Sequence, residues 1–398
     1  MKSTKKRVKR GSTNGNHAAE LRAYRRRSQL IGAAIIASSS IIAMAASVPN
    51  TFTSGSPALA SDVNANFQAL ATAVTAMETK LASLSLETVN GQPTVRFSGV
   101  NLQVVNGQGT TGTVNGVGNL IVGYDELDIS GTSKCSLGTN PSNQAIVVTE
   151  GDCLAAGGIW ATSHKSGSHN LVLGLQNNYS QYGGLVSGAR NTSNYRFASL
   201  LGGYTNMASG EYAVVTGGSD NSASGNRASV SGGQDNTANG GWSSVTGGRL
   251  NLAGGGWASI TGGSNNVTSS GPANTVNGGQ SNSASGQFAV VSGGTGNVAS
   301  GIKAVVSGGN ANRATGDHAT ASGGWLNRVS GNAAVASGGY ANFATGANAV
   351  IGGGSGNTAS HNASTVGGGS SCVSTQDAYW AVGVNAAAIG GGCRVNNN

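Results

Sequence analysis

From Ser61 the apolar positions step forward by four and three residues in turn: Val63, Phe67, Leu70, Val74, Met77, Leu81 and Leu84. That alternation is the a/d seam of a heptad helix, and Ser61 is a good N-cap for it. The pattern predicts a helix over residues 61–86. Small or polar residues stand opposite the seam, and no neighbouring segment offers a matching apolar face. The expected outcome is a short coiled coil that self-associates. Residues 47–60 read as a linker leading into it.

From Val89 onward the helical period is lost, and glycine, asparagine and β-branched residues alternate in short runs. A repeat is then visible. Asparagine recurs at 191, 206, 221, 236, 251, 266, 282, 297, 312, 327, 342 and 357, every step being 15 residues except one of 16 between Asn266 and Asn282. The motif around the asparagine is Asn-x-Ala-Ser-Gly-x-x-Ala-x-Val-Ser/Thr-Gly-Gly-x-x, shown cleanly by residues 206–220 and 221–235. Such a period is too short for a helical-hairpin repeat or a propeller blade, which need roughly 33 and 40 residues. It suits one coil of a parallel β-solenoid with two short strands and two turns. Gly210 and the Gly217-Gly218 pair are the expected turn positions, since glycine enters positive φ freely.

Stacked coils bring equivalent residues to about 4.8 Å. Val215, Val230, Val245 and Ile260 should form an inner ladder that continues through Val276, Val291 and Val306, with Ala208, Ala223, Ala238 and Ala253 forming another. Asn206, Asn221, Asn236 and Asn251 should form a third, structural ladder, their amides bonding the next coil. A cross-section of alanine and valine is thin, which predicts that partner chains complete it.

The solenoid extends upstream. Asn119–Gly123 matches Asn170–Gly174 almost residue for residue, so residues 87–123 read as the first solenoid strands and 124–168 as an insertion between two coils. Residues 169–371 form the repeat itself and 372–398 an atypical cap. In that cap Cys372 stands where the ladder asparagine is due and Ile389–Gly392 resumes the motif. A Cys372–Cys393 bond, with Tyr379 and Trp380 over the open end, would protect the terminal strand from further pairing.

Composition fits this picture and adds a compartment. Charged residues are 9% and Gly 67 of 398, against only 5 Pro. Ten of the 22 Lys and Arg fall within residues 1–27, leaving 12 basic against 13 acidic beyond them, so the net charge of +8 is local to the N-terminus. Leu30–Ala46 follows as an uncharged, mostly apolar stretch with an Ala43-Met44-Ala45 triplet. Basic, apolar, then small is the layout of a secretory signal, so residues 1–46 are expected to direct export. If it were retained, this segment would be the one membrane contact, with its basic end in the cytoplasm. Cys135 with Cys153 and Cys372 with Cys393 form two local pairs without zinc-ligand spacing, as expected of disulfides in an oxidising compartment. The expected location is the cell surface or the extracellular space, with the periplasm as the alternative.

Motifs that would carry chemistry are weak. Gly107-Gln108-Gly109-Thr110-Thr111-Gly112 fits GxGxxG, but no helix pattern follows to hold a pyrophosphate. Asp220 and Asp235 should stack on adjacent coils about 5 Å apart, near the separation of retaining-glycosidase carboxylates. They sit beside turns, so solvated turn residues are the expectation. His164 and His169 lack further ligands. No catalytic residue, cofactor, metal or nucleic-acid partner is expected. Ser229/Ser231, Ser244/Thr246 and Ser259/Thr261 would form a hydroxyl ladder suited to ice or polysaccharide, interrupted by Val214, Val290 and Val305. A β-helical polysaccharide-degrading enzyme is a third reading, and it lacks a carboxylate cluster.

The stretch Ala208-Ser209-Gly210-x-x-Ala213-x-Val215-x-Gly217, repeated to about residue 370, resembles the head repeats of trimeric autotransporter adhesins (YadA-like heads). The unit here is 15 residues with a Gly-Gly, where that family has 14. The resemblance covers about half the chain strongly and residues 100–184 weakly. It implies an all-β, left-handed parallel β-roll, a homotrimer, and an adhesin-like or structural role toward a glycan or protein receptor. The family's membrane-anchor strands have no counterpart before Asn398, so self-anchoring through them is not expected.

Overall fold

The structure is a computed structural model that describes residues 48–128, 133–136, 149–155, 158–269, 271–374, 377, 380–383 and 393–396. The proposed signal segment, Tyr379 and the side chains of Trp380 and Cys393 lie outside the described parts. The chain divides into two compact units, Met1–Leu102 and Gln103–Asn398.

The first unit holds one helix and one hairpin. Helix α1 spans Ala60–Leu81, with no buried residue along it. Its N-cap is Leu59, which makes no side-chain capping bond. Ser61, expected in that role, lies inside the first turn with its hydroxyl 3.4 Å from Asp62 Oδ1. The preceding segment is held to the helix by a reciprocal pair: the Asn50 N–H donates to Asn66 Oδ1 at 2.8 Å, and Asn66 Nδ2 donates to the Asn50 carbonyl at 2.7 Å.

The helix ends before the expected seam does. Leu84, its last member, opens strand β1 (Leu84–Val89), which pairs antiparallel with β2 (Gln92–Phe97). The turn between them is Asn90-Gly91, both at positive φ, 51° and 80°. Asn-Gly is the preferred pair for a two-residue hairpin turn, whose twist matches the flanking strands. Residues 84–97 are therefore a hairpin and not the first solenoid strands.

The second unit is a parallel β-solenoid. Strand β3 (Leu120–Val122) pairs in parallel with β6 (Leu171–Leu175), Leu120 opposite Leu171 and Val122 opposite Leu173. This is the register the sequence match of 119–123 with 170–174 implies. From there the coils repeat. Each carries a strand such as Met207–Ala208, in a 14-stranded parallel sheet, and a second such as Val214–Val215, in a sheet that runs on to Trp380–Gly383. A third ladder of single bridges, Ser219 to Gln234 to Arg249 and onward, closes the coil on its remaining side. The coil thus has three hydrogen-bonded sides where two strands were expected.

Alternation explains the core. Ala208, Ala213 and Val215 are fully buried, and so are their equivalents along the stack, while Val214 and Thr216 face outward. Complete burial of a valine is worth about 1.5–3 kcal/mol. One such residue per coil, added to two alanines, makes a narrow core that is nevertheless closed within a single chain.

The far end departs from the sequence expectation. Cys393–Asn396 is an antiparallel strand opposite Trp380–Gly383, with Gly383 facing Cys393. The strand at Cys393 therefore runs against the stack and does not continue it as a further parallel coil. A strand of reversed direction ends the parallel stack.

Candidate functional site

The asparagine ladder is the most regular constellation in the molecule. Asn206 Oδ1 accepts the Asn221 N–H at 2.9 Å, while Asn206 Nδ2 donates to the carbonyls of Gly202 and Gly218 at 3.2 and 3.0 Å. Asn221, Asn236 and Asn251 repeat the set in their own coils, each 1% exposed or less. Every amide is thus spent on two turn carbonyls and one backbone N–H, and none is free for a ligand.

Gly218 makes this possible. Its φ is +83°, and a Cβ there would lie 2.1 Å from the Gly233 carbonyl oxygen and 2.6 Å from Asn221 Nδ2. Gly210 serves differently. It is not at positive φ, but a Cβ would meet the Gly225 oxygen at 2.0 Å, so it permits close stacking of backbones. Gly217 has open space around it. The other left-handed positions of this coil are Tyr212 and Asp220, at 57° and 56°, a region that favours glycine.

The ladder has distinct ends. Asp125 Oδ1 accepts the Asn177 N–H at 2.8 Å, the position an asparagine holds in later coils. Its Oδ2 is paired with Lys165 Nζ at 2.6 Å, and that ammonium also donates to the Asp125 carbonyl. Lys165 stands 6.0 Å from the ring centre of Tyr179, which is buried. Burial, and then the charge of Asp125, push the Tyr179 hydroxyl up to about 12. At the other end the Cys372 N–H donates to Asn357 Oδ1 at 2.9 Å. Cys372 is disulfide-bonded, and the proposed partner, Cys393, has its side chain outside the described ones.

The insertion leaves the stack at Asp125 and rejoins it at Lys165, which bridges to Tyr179. It contains strands β4 (Lys134–Cys135) and β5 (Trp160–Ala161) and helix α2 (Glu150–Ala155), which Thr149 caps through the Asp152 N–H. The Cys135–Cys153 disulfide joins them, with Cα atoms 5.5 Å apart and Trp160 packed against it. Gly158 lies over this bond, where a Cβ would sit 2.8 Å from both sulfurs. A formed disulfide points to an oxidising compartment.

The remaining candidates fall into structural places. Gly107–Gly112 is a turn with no helix after it. His169 sits against this turn, accepting the Asn106 N–H at 3.3 Å and lying 3.1 Å from the Thr111 carbonyl. His164 is buried, its N–H held by Asn178 Oδ1 at 2.6 Å. Asp220 and Asp235 are turn residues on successive coils, the first exposed and the second half-buried. Ser229, Ser244 and Ser259 share one register, with Ser229 Oγ 3.3 Å from Ser244 Oγ, and Val214, Val290 and Val305 occupy the same outward position.

One surface feature escaped the sequence reading. At the second variable position of Gly-x-x-Ala, side chains from successive coils stack along one edge. Tyr182 meets Phe197 edge-on at 5.3 Å, and Phe197 stacks on Tyr212 at 5.0 Å. Arg227 lies 5.3 Å from Tyr212 and 5.2 Å from Trp242, and Trp242 stacks on Trp257 at 5.2 Å with planes 9° apart. The signal was present: these residues recur every 15 positions.

Comparison with models of known protein families and with curated protein sequences finds no match. Among the described residues no helix is long and apolar enough to cross a membrane.

Proposed function

We propose that this chain is an exported, non-catalytic cell-surface protein, adhesin-like or fibrous, which self-associates as a homotrimer and presents its repetitive β-solenoid to a glycan or protein receptor. The carrying observation is the apolar seam of α1. Phe67 is 65% and Met77 53% exposed, with Leu70, Val74 and Leu81 also open to solvent. A heptad seam of this kind is a helix-association surface, and exposed contiguous apolar surface marks an interface. The basic-apolar-small N-terminal layout and the disulfides support export. The resemblance of the repeats to trimeric autotransporter heads supports both the trimer and the surface role.

Light scattering on the exported chain at micromolar concentration tests this directly. A trimer mass is expected, reduced in a Leu70→Asp, Met77→Asp variant. A folded wild-type monomer would sink the assembly, and inaccessibility to protease added to intact cells would sink the surface location.

A second reading rests on the hydroxyl rows. Ser229 and Ser244 lie in register on the outer face, with Thr246 and Thr261 two residues beyond Ser244 and Ser259. Ordered hydroxyls of this kind suit ice or a polysaccharide. Inhibition of ice recrystallisation, lost when Ser244 and Ser259 become valine, would favour it.

A further inference from the structure

The aromatic edge stops abruptly, and the stop has a shape. Trp257 is covered by Trp242 on one face only. In the next coil the same position is Ala273, whose methyl group is too short to cover an indole. Trp257 is accordingly 61% exposed, against 46% for Trp242. One coil further the position is aromatic again: Phe288, 48% exposed. The backbone does not change across the gap. Trp257, Ala273 and Phe288 have φ of 56°, 57° and 58°. Ala273 therefore leaves out a side chain that its backbone would present along the same edge.

The gap is one ring thick. Two coils at about 4.8 Å place the Trp257 and Phe288 levels roughly 9.6 Å apart. Aromatic pairs need centroids within about 4.5–7 Å, so these two rings cannot satisfy each other. A ring inserted midway would sit about 4.8 Å from each. Beside the notch, Gly256 carries no side chain, and a Cβ there would find nothing nearer than 3.8 Å. Pro272 supplies a rigid flank, and its carbonyl holds the Phe288 N–H at 3.0 Å. Across four consecutive coils the edge reads Gly241-Trp242, Gly256-Trp257, Pro272-Ala273 and Gln287-Phe288, without a charge, although Arg227 precedes and Lys303 follows. An uncharged notch does not suit a phosphate-bearing chain, whose binding needs cations at the contact. Two apolar ring faces beside one exposed amide suit a ligand with C–H faces and equatorial hydroxyls.

We propose that the notch above Ala273, between Trp257 and Phe288, binds one pyranose ring of an uncharged polysaccharide. The site deepens the glycan-receptor reading of the preceding subsection and rests on it for the class of ligand, but it needs neither a trimer nor attachment to a cell, so it fails separately from those.

The test uses the full exported chain and four probes: neutral hexasaccharides of gluco, xylo, manno and galacto configuration. Binding is followed by calorimetry and by tryptophan fluorescence. Trp257→Ala removes a wall, and Ala273→Phe fills the notch on a backbone that already accepts Phe288. Trp325→Ala, on a different side of the coil, is the control. At least one hexasaccharide should bind saturably, with affinity falling about tenfold or more in both notch variants and unchanged in the control. No binding of any probe below about 10 mM, or wild-type binding by Ala273→Phe, overturns the proposal. So does a change of oligomeric mass in either notch variant, which would make the edge a protein contact. Unaltered thermal transitions establish that the variants fold.

Discussion

The side-chain oxygen of Asn206 accepts the backbone N–H of Asn221, 15 residues later, at 2.9 Å. That single bond ties one coil to the next, and the same amide's Nδ2 ties the turn at Gly202 to the turn at Gly218. A buried polar column therefore runs through the coils beside the alanines and valines.

Asn251 tests the column. Its Oδ1 accepts from Asn266, and its Nδ2 donates to Gly247 and Gly263. Asn251→Ala should leave the buried Asn266 N–H and the half-buried Gly247 carbonyl without partners, while the Gly263 carbonyl keeps the Arg249 N–H, and cost about 1–3 kcal/mol. Asn251→Asp should cost at least as much, since a carboxylate would face two carbonyls. Denaturant unfolding measures the loss. A change below about 0.5 kcal/mol in both would show that the column is dispensable.

The two glycines of one turn should respond oppositely. Gly218→Ala puts a Cβ into the Gly233 oxygen at positive φ, so it should lower the melting temperature clearly. Gly217→Ala enters open space and should stay within about 0.5 kcal/mol of the parent. Equal losses would contradict the assigned geometry.

Deleting residues 221–235 should keep the fold, because solenoid coils contact mainly their neighbours. After the cut, Asn236 follows Asp220, the alanine and valine ladders keep their register, and the stack shortens by about 4.8 Å. Small-angle scattering reads the shortening. Global unfolding would refute the register.

Tyr179 supplies a pH signature. Its folded value is raised to about 12 by burial and Asp125, while in the unfolded chain it ionises near its ordinary value of about 10. The neutral ring's contribution is complete below about 10 and is lost as pH rises toward 12. Spectrophotometric titration should show one tyrosine ionising late, and Tyr179→Phe should abolish that step. A titration unchanged by the substitution would disprove the assignment.

Much of the solenoid was legible because its period is constant: one asparagine every 15 residues fixes which side chains stack. Register follows from counting, and Val215 opposite Val230 is the result. What escaped counting was local. Asn90-Gly91 marked a hairpin, but the glycine-rich surroundings hid it among repeat turns. Gly210 opens the turn that the Ala213 N–H closes on its carbonyl, as expected, but its missing side chain serves the approach of Gly225 and not a positive φ, which only three-dimensional stacking reveals. Asp125 differs in type from the asparagines it continues and lies 52 residues before Asn177, across the insertion. The seam ran on to Leu84 by spacing alone, but strand pairing with Phe97 claimed that residue.

Identical coils also carry an ambiguity. A segment that skips one coil and pairs with the next finds the same asparagine, glycine and alanine waiting, and nothing in the repeat itself marks the error. The non-repeating residues at either end supply the missing bookmark. Asp125, fastened by Lys165, admits one first coil, and Cys372, bound by its disulfide, admits one last. With both fixed, the number of coils between them is set by the chain, and a skipped copy must be extruded as a visible loop and cannot vanish into the stack.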